Sequence, residues 1–158
     1  MDIRVSLFDD SASISESLGE LLAYTKGITL VGVHADALQA HDAVLEEQPQ
    51  IVLMDIDMPG VSGIEAVARI RAVSPSTLVI MLTVFEDTER VYASLAAGAM
   101  GYLLKSTPPA ALIAAIREAH EGGAPMTPGI ARKVLQHLHA PAPPAPQHGL
   151  NPREQEVL

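Results

Sequence analysis

Residues 51–60 read Ile51-Val52-Leu53-Met54-Asp55-Ile56-Asp57-Met58-Pro59-Gly60. Four apolar residues in an unbroken run fit a strand covered on both faces, and strands of that kind belong to parallel sheets. A carboxylate at the end of the run, followed by a Pro-Gly turn, sets Asp55 on the edge where such sheets bind their ligands. Outward from this stretch the pattern repeats. Ile3, Val5 and Leu7 alternate and Phe8 closes a first strand; Ile28 to Val33, Leu78 to Leu82 and Tyr102 to Leu104 supply three more. Between them lie helical stretches. Ser13 with Glu16 and Ser62 with Glu65 read as capping boxes, ahead of the faces Ile14-Leu18-Leu21-Leu22 and Ile64-Val67-Ile70. Asp36 is expected to cap a helix carrying Leu38, Val44 and Leu45 that ends before Pro49. A further helix runs from about Asp87 to Ala97 and stops at Gly98, and Thr107-Pro108 opens another with Leu112, Ile113 and Ile116 on its inner face. Five strands alternating with five helices through residue 121 predict an α/β fold, a doubly wound five-stranded parallel sheet.

Composition narrows the function classes. The 158 residues contain no cysteine, which excludes disulfide frameworks, thiolate metal sites and thiol nucleophiles. The formal charge is −9, and it is uneven: residues 1–124 hold 7 basic and 17 acidic side chains, a balance of −10. A body this acidic repels phosphate backbones, and with 2 Phe, 3 Tyr and no Trp it lacks a stacking platform for bases. No apolar run approaches the ~18 residues of a membrane span, and Met1-Asp2-Ile3-Arg4 runs straight into a strand with no leader pattern. A soluble, cytoplasmic protein without membrane contact is expected. The six histidines have no metal-ligand spacing and read as solvated surface.

The strand ends carry the chemistry. Asp9 and Asp10 close the first strand, Asp55 the third, Thr83 the fourth and Lys105 the fifth. Singly, each has a plain explanation: a helix cap, a turn residue, a solvated charge. Together on one edge they form a site. Three carboxylates in a small volume need compensation, and a divalent cation with Lys105 brings the sum to about zero. Mg²⁺ suits oxygen donors combined with phosphate oxygens. Such a set fits a phosphoryl acceptor: a carboxylate as nucleophile, with Mg²⁺, the Lys105 ammonium and the Thr83 hydroxyl each taking one phosphoryl oxygen. Asp55, after the most central strand, is the favoured nucleophile.

These residues, in this order, resemble the receiver domain of two-component response regulators, a flavodoxin-like fold. The matching stretches are Phe8-Asp9-Asp10, Ile51 to Gly60, Met81-Leu82-Thr83 and Gly101-Tyr102-Leu103-Leu104-Lys105, within about residues 1–121. The resemblance implies an aspartyl phosphate on Asp55, donated by a sensor histidine kinase. It implies Mg²⁺ held by Asp10, Asp55 and the backbone carbonyl of Asp57, with Asp9 acting through water. Lys105 and Thr83 would stabilise the phosphoryl group. Thr83 and Tyr102 would form the switch pair, Tyr102 filling space that Thr83 vacates. Asp57, Val84 and Phe85 stand where side chains tune access and loss of the phosphoryl group. Val84 replaces the usual Ala or Gly. Ser106 replaces a proline often found in a cis peptide, and a non-proline cis bond would cost ~3 kcal/mol.

Residues 122–140 are expected to form a linker helix opened by Thr127-Pro128, with Ile130, Val134 and Leu138 as its buried stripe. Residues 141–149 form a proline-rich spacer. Residues 150–158, Leu-Asn-Pro-Arg-Glu-Gln-Glu-Val-Leu, resemble the opening of the helix-turn-helix DNA-binding domain of NarL/FixJ, or LuxR-type, regulators. DNA contact would then belong to residues beyond Leu158, with a homodimer forming on phosphorylation. No enzymatic turnover is expected apart from self-phosphorylation and autodephosphorylation. Two alternatives stand beside this reading. One is a stand-alone receiver acting through protein contacts. The other is a haloacid-dehalogenase-like phosphatase, since Asp55-Ile56-Asp57 matches its Asp-x-Asp motif, although that family places the motif on its first strand.

Overall fold

In the computed structural model the described residues are 2–139. The expected spacer and domain opening at 141–158 lie outside them. The elements alternate strictly: β1 (Ile3–Phe8), α1 (Ala12–Ala23), β2 (Ile28–His34), α2 (Ala40–Glu47), β3 (Ile51–Met54), α3 (Gly63–Val73), β4 (Leu78–Thr83), α4 (Thr88–Ala97), β5 (Gly101–Leu104), α5 (Pro109–His120) and α6 (Pro128–His139). The five strands are parallel in the order β2-β1-β3-β4-β5. The order reverses at β1 and β3, and a crevice opens beyond the carboxyl ends at such a point. Register fixes what meets there. Phe8 pairs with Met54 and Thr83 with Leu104, so Asp9, Asp55 and Lys105 leave the sheet side by side.

The unbroken apolar runs are explained by two cores. Ile51 and Leu53 of β3, with Ile80 and Leu82 of β4, pack on Leu22, Leu112 and Ile116 of α1 and α5. Val52, Met54, Val79 and Met81 face the other way, onto Val44, Val67, Ile70 and Val91 of α2, α3 and α4. Alternation along each strand therefore buries both faces. The Ser62 cap and the Gly98 stop stand as read, and Asp87 proves to cap α4. The Ser62 hydroxyl accepts from Glu65 N–H at 3.2 Å and the Asp87 carboxylate from Arg90 N–H at 3.1 Å, and Gly98 ends α4 in the left-handed conformation.

Several local expectations are corrected. The α1 cap is Ser11, not Ser13: the Asp9 carboxylate takes the Ser11 N–H at 2.9 Å and turns the chain at once. Asp36 caps no helix; it accepts from Leu38 N–H at 3.0 Å in a local turn, and α2 begins only at Ala40. The cap position of α5 is Pro108 rather than Thr107, with Pro109 first in the helix and no side-chain cap bond; Thr107 N–H donates to the Leu104 carbonyl at 2.9 Å. In α6, Ile130 is buried and Val134 packs against the same core, but Leu138 is 67% exposed. The packed face continues through His137, seven residues after Ile130, whose ring lies 4.0 Å from that of Tyr92. His34 is not a solvated side chain either: it stacks on Phe8 at 4.5 Å and pairs with Glu47 at 2.8 Å. All described peptide bonds are trans, that between Lys105 and Ser106 included. Among the described residues, no helix is long and apolar enough to cross a membrane.

Candidate functional site

Each side chain of the crevice is placed by its strand and then held by a second contact. Asp55 N–H donates to the Phe8 carbonyl at 3.0 Å, which ties the end of β3 to β1. Its Oδ1 accepts from Ile56 N–H at 2.8 Å, and its Oδ2 accepts from the Lys105 ammonium at 2.9 Å. Asp9 N–H is bonded to the His34 carbonyl at 2.9 Å, and the Asp9 carboxylate pairs with the same ammonium at 2.8 Å. Asp9 and Asp55 are buried, whereas Asp10 is exposed at the rim. One carboxylate oxygen from each of the three lies within 4.8 Å of the others.

Lys105 therefore stands between two buried carboxylates. Burial pushes its ammonium down, but the hydrogen bonds and charges of Asp55 and Asp9 outweigh that and hold it above the ordinary lysine value. One positive charge against three negative ones leaves a deficit of about two charges, which a divalent cation would cancel. The donor set, three carboxylate oxygens around one point with one carboxylate open to water, fits a hard cation such as Mg²⁺. Asp57 follows in the exposed turn after Asp55.

Gly63 is a residue that sequence reading missed. It opens α3, and its N–H donates to the Ile56 carbonyl at 2.8 Å. A Cβ on it would stand 1.8 Å from the Asp55 carbonyl oxygen. No side chain fits there, so glycine lets the helix close on the turn that carries Asp55. A glycine directly after the Ser62 cap was the visible signal.

The expected switch pair stands on the neighbouring strands β4 and β5, where Thr83 pairs with Leu104, two residues on from Tyr102. Thr83 is fully buried and its hydroxyl bonds to nothing among the described residues. Unpartnered hydroxyls in an interior are costly, so this one is poised for an acceptor. Tyr102 is also fully buried, in the inward position, and its hydroxyl donates to the Phe85 carbonyl at 2.7 Å. Burial, reinforced by the Asp87 charge, pushes the Tyr102 phenol up to about 12. Val84 is 65% exposed at the mouth, and the Phe85 ring lies under the Arg90 guanidinium at 4.2 Å. The structure thus gathers Asp9, Asp10, Asp55, Lys105 and Thr83 at one edge, with Asp57 and Val84 at its rim.

Comparison with known proteins agrees with this arrangement. The family model described as the response regulator receiver domain matches residues 5–117. The chain is 35% identical to the transcriptional regulatory protein LiaR of Bacillus subtilis, over 99% of this chain and 74% of that protein. It is 34% identical to the oxygen regulatory protein NreC of Staphylococcus epidermidis, over 76% of this chain and 56% of NreC, so it spans about half of that relative. A solved two-component response regulator of the LuxR family from Aurantimonas superposes with a TM-score of 0.82 at 32% identity, covering 87% of this chain and 99% of that one. The response regulator ChrA of a heme-sensing two-component system follows at 0.70 and 31%, covering 89% and 67%. With its sheet order, its edge of carboxylates around a lysine and these matches, the chain belongs to the response regulator receiver domain family.

Proposed function

We propose that this receiver takes a phosphoryl group on Asp55 from a sensor histidine kinase, and that the modified domain controls transcription through a DNA-binding domain lying outside the described residues. The observation that carries the reading is the sharing of Lys105 between Asp55 and Asp9, with Asp10 beside them. Asp55 Oδ1 accepts from Ile56 N–H and Oδ2 from Lys105, and Oδ2, which shares that ammonium with Asp9, is the nucleophile. Oδ2 attacks the phosphorus of a phosphohistidine; the new O–P bond forms as the P–N bond breaks, and the electron pair leaves on the imidazole nitrogen. Lys105 releases Oδ2 and turns its ammonium to a phosphoryl oxygen. The Thr83 hydroxyl, otherwise unpartnered, donates to another.

The carboxylates of Asp10 and Asp55 and the Asp57 carbonyl would hold Mg²⁺, with Asp9 acting through water, and the ion would supply charge neutralisation for the incoming group. Asp57, Val84 and Phe85 regulate how readily water reaches the acyl phosphate. Homologues carry the names of transcriptional and oxygen regulatory proteins, which supports a transcriptional output; a homodimer forming on phosphorylation belongs to the same proposal. The test is incubation with acetyl phosphate and Mg²⁺, followed by intact mass and phosphate release. One phosphoryl group per chain, lost slowly, is expected. Sustained multiple turnover of a phosphate ester would instead favour a phosphatase.

A further inference from the structure

The segment between α5 and α6 is bonded to the residue that carries the buried tyrosine. Tyr102 N–H donates to the Pro125 carbonyl at 2.9 Å, and Thr127 N–H donates to the Tyr102 carbonyl at 3.1 Å. The Thr127 hydroxyl accepts Leu104 N–H at 3.0 Å. Residues 125–127 therefore extend the sheet past β5, with Met126 paired in parallel to Tyr102. Gly101 allows the approach, since a Cβ there would stand 2.6 Å from the Pro125 carbonyl oxygen.

From this bridge α6 crosses to α4. Ile130 enters the same core cluster as Tyr102. The Tyr92 hydroxyl donates to the Val134 carbonyl at 3.1 Å, with its ring against His137. The Lys133 ammonium donates to the Glu86 carbonyl. Two neighbouring carbonyls of one loop, between β4 and α4, thus hold two different things. Phe85 holds the Tyr102 phenol, and Glu86 holds α6. That loop begins directly after Thr83.

We propose that residues 125–127 and α6 form a clasp whose seating is linked to the inward position of Tyr102, so that the linker helix and the phosphoryl site at Asp55 bias one another. The proposal rests on the phosphoacceptor reading above. A seated clasp fixes the Tyr102 backbone on both sides and holds the loop that receives its hydroxyl. A phosphoryl group drawing on Thr83 acts on that same loop from within. Two ligands or contacts that favour one conformation strengthen each other equally, by thermodynamic reciprocity. Signal would leave the domain through the clasp: phosphorylation tightens α6 on α4, and loosening α6 weakens phosphoryl binding.

The test uses the full chain with beryllium trifluoride and Mg²⁺ as the phosphoryl mimic. Hydrogen exchange of the α6 amides is followed with and without the mimic, and its half-saturating concentration is measured. For the wild type, exchange across α6 should slow about five-fold on saturation, at the low end of ordinary coupling. The double variant Tyr92→Phe with Lys133→Met removes one donor from each side and leaves the cores intact. It should exchange faster in α6 and need about five-fold more mimic. Mimic binding with α6 exchange unchanged, or a double variant with the wild-type half-saturating concentration, would overturn the clasp alone. No Mg²⁺-dependent binding of the mimic by wild type would overturn the phosphoacceptor reading, and the clasp with it.

Discussion

The Tyr102 hydroxyl donates to the Phe85 carbonyl at 2.7 Å from a fully buried ring, whereas the Thr83 hydroxyl on the neighbouring strand donates to nothing among the described residues. One member of the pair is satisfied and the other is waiting. The folded protein holds the Tyr102 proton to about 12, against 10 for an ordinary tyrosine. The folded state therefore binds that proton more tightly than the unfolded chain. Stability tied to it is complete below pH 10 and is lost as pH rises through about 12. Denaturation of wild type and Tyr102→Phe across this window should show the wild-type advantage shrinking steadily as pH rises above 10. A constant difference would mean that the phenol is not what the fold protects. Below pH 10 the variant should be less stable by about 1 kcal/mol, the ordinary net value of a hydrogen bond.

Thr83→Val separates stability from signalling. The valine has the same shape and removes a buried hydroxyl that lacks a partner, so the fold should hold or gain about 1 kcal/mol. The phosphorylated variant should nevertheless lose the downstream response, since no donor is drawn toward the phosphoryl group. A variant that still dimerises or activates on phosphorylation would remove Thr83 from the coupling.

Gly63→Ala should be severe for a glycine substitution. The added methyl would stand 1.8 Å from the Asp55 carbonyl oxygen, and backbone cannot step aside cheaply. A loss of about 1–3 kcal/mol is expected, together with slower phosphorylation because Asp55 moves. Urea denaturation and labelling rate, measured together, check both parts. Unaltered stability would show that α3 can shift freely.

The site and most of the fold were legible in the sequence because they depend on short-range order. Asp55 follows four apolar residues, and that run alone places it at a strand end in a two-sided sheet. Ser62, Asp87 and Gly98 behave as their local chemistry dictates. Most of the misread positions depend on contacts distant in the chain, the α1 cap being a local exception. Ser13 lost the cap to Ser11 because the buried Asp9 captured the Ser11 N–H. Leu138 gave way to His137 because Tyr92, far away on α4, offers a ring at that point. His34 finds Glu47 and Phe8 only once β1, β2 and α2 are assembled. Gly63 matters because two backbones meet, and no side-chain pattern records that.

Cation binding should stabilise the domain. Asp9, Asp10 and Asp55 converge with Lys105 alone paired to them among the described residues, so Mg²⁺ at ten times its dissociation constant should add about 1.4 kcal/mol. Asp10→Asn should abolish this gain while costing the cation-free fold little, because Asp10 is exposed. Thermal melts with and without Mg²⁺ read both effects. An equal Mg²⁺ shift in the variant would move the cation away from this cluster.

Residues 1–158 should show no salt-sensitive DNA affinity, phosphorylated or not. The balance of −10 on residues 1–124 repels the duplex, and α6 contributes only Arg132 and Lys133 in return. Micromolar, salt-dependent binding in an anisotropy titration would contradict this division of labour.

The central claim is that Asp55 is the phosphoacceptor, and intact-mass analysis of wild type and Asp55→Asn tests it most directly. Both proteins are incubated with Mg²⁺ and a phosphorylated histidine kinase, or with acetyl phosphate, under identical conditions. An amide is no nucleophile and brings no charge to the cation or to Lys105. The expected result is one phosphoryl adduct on wild type and none on the variant; an equal adduct on Asp55→Asn would contradict the claim.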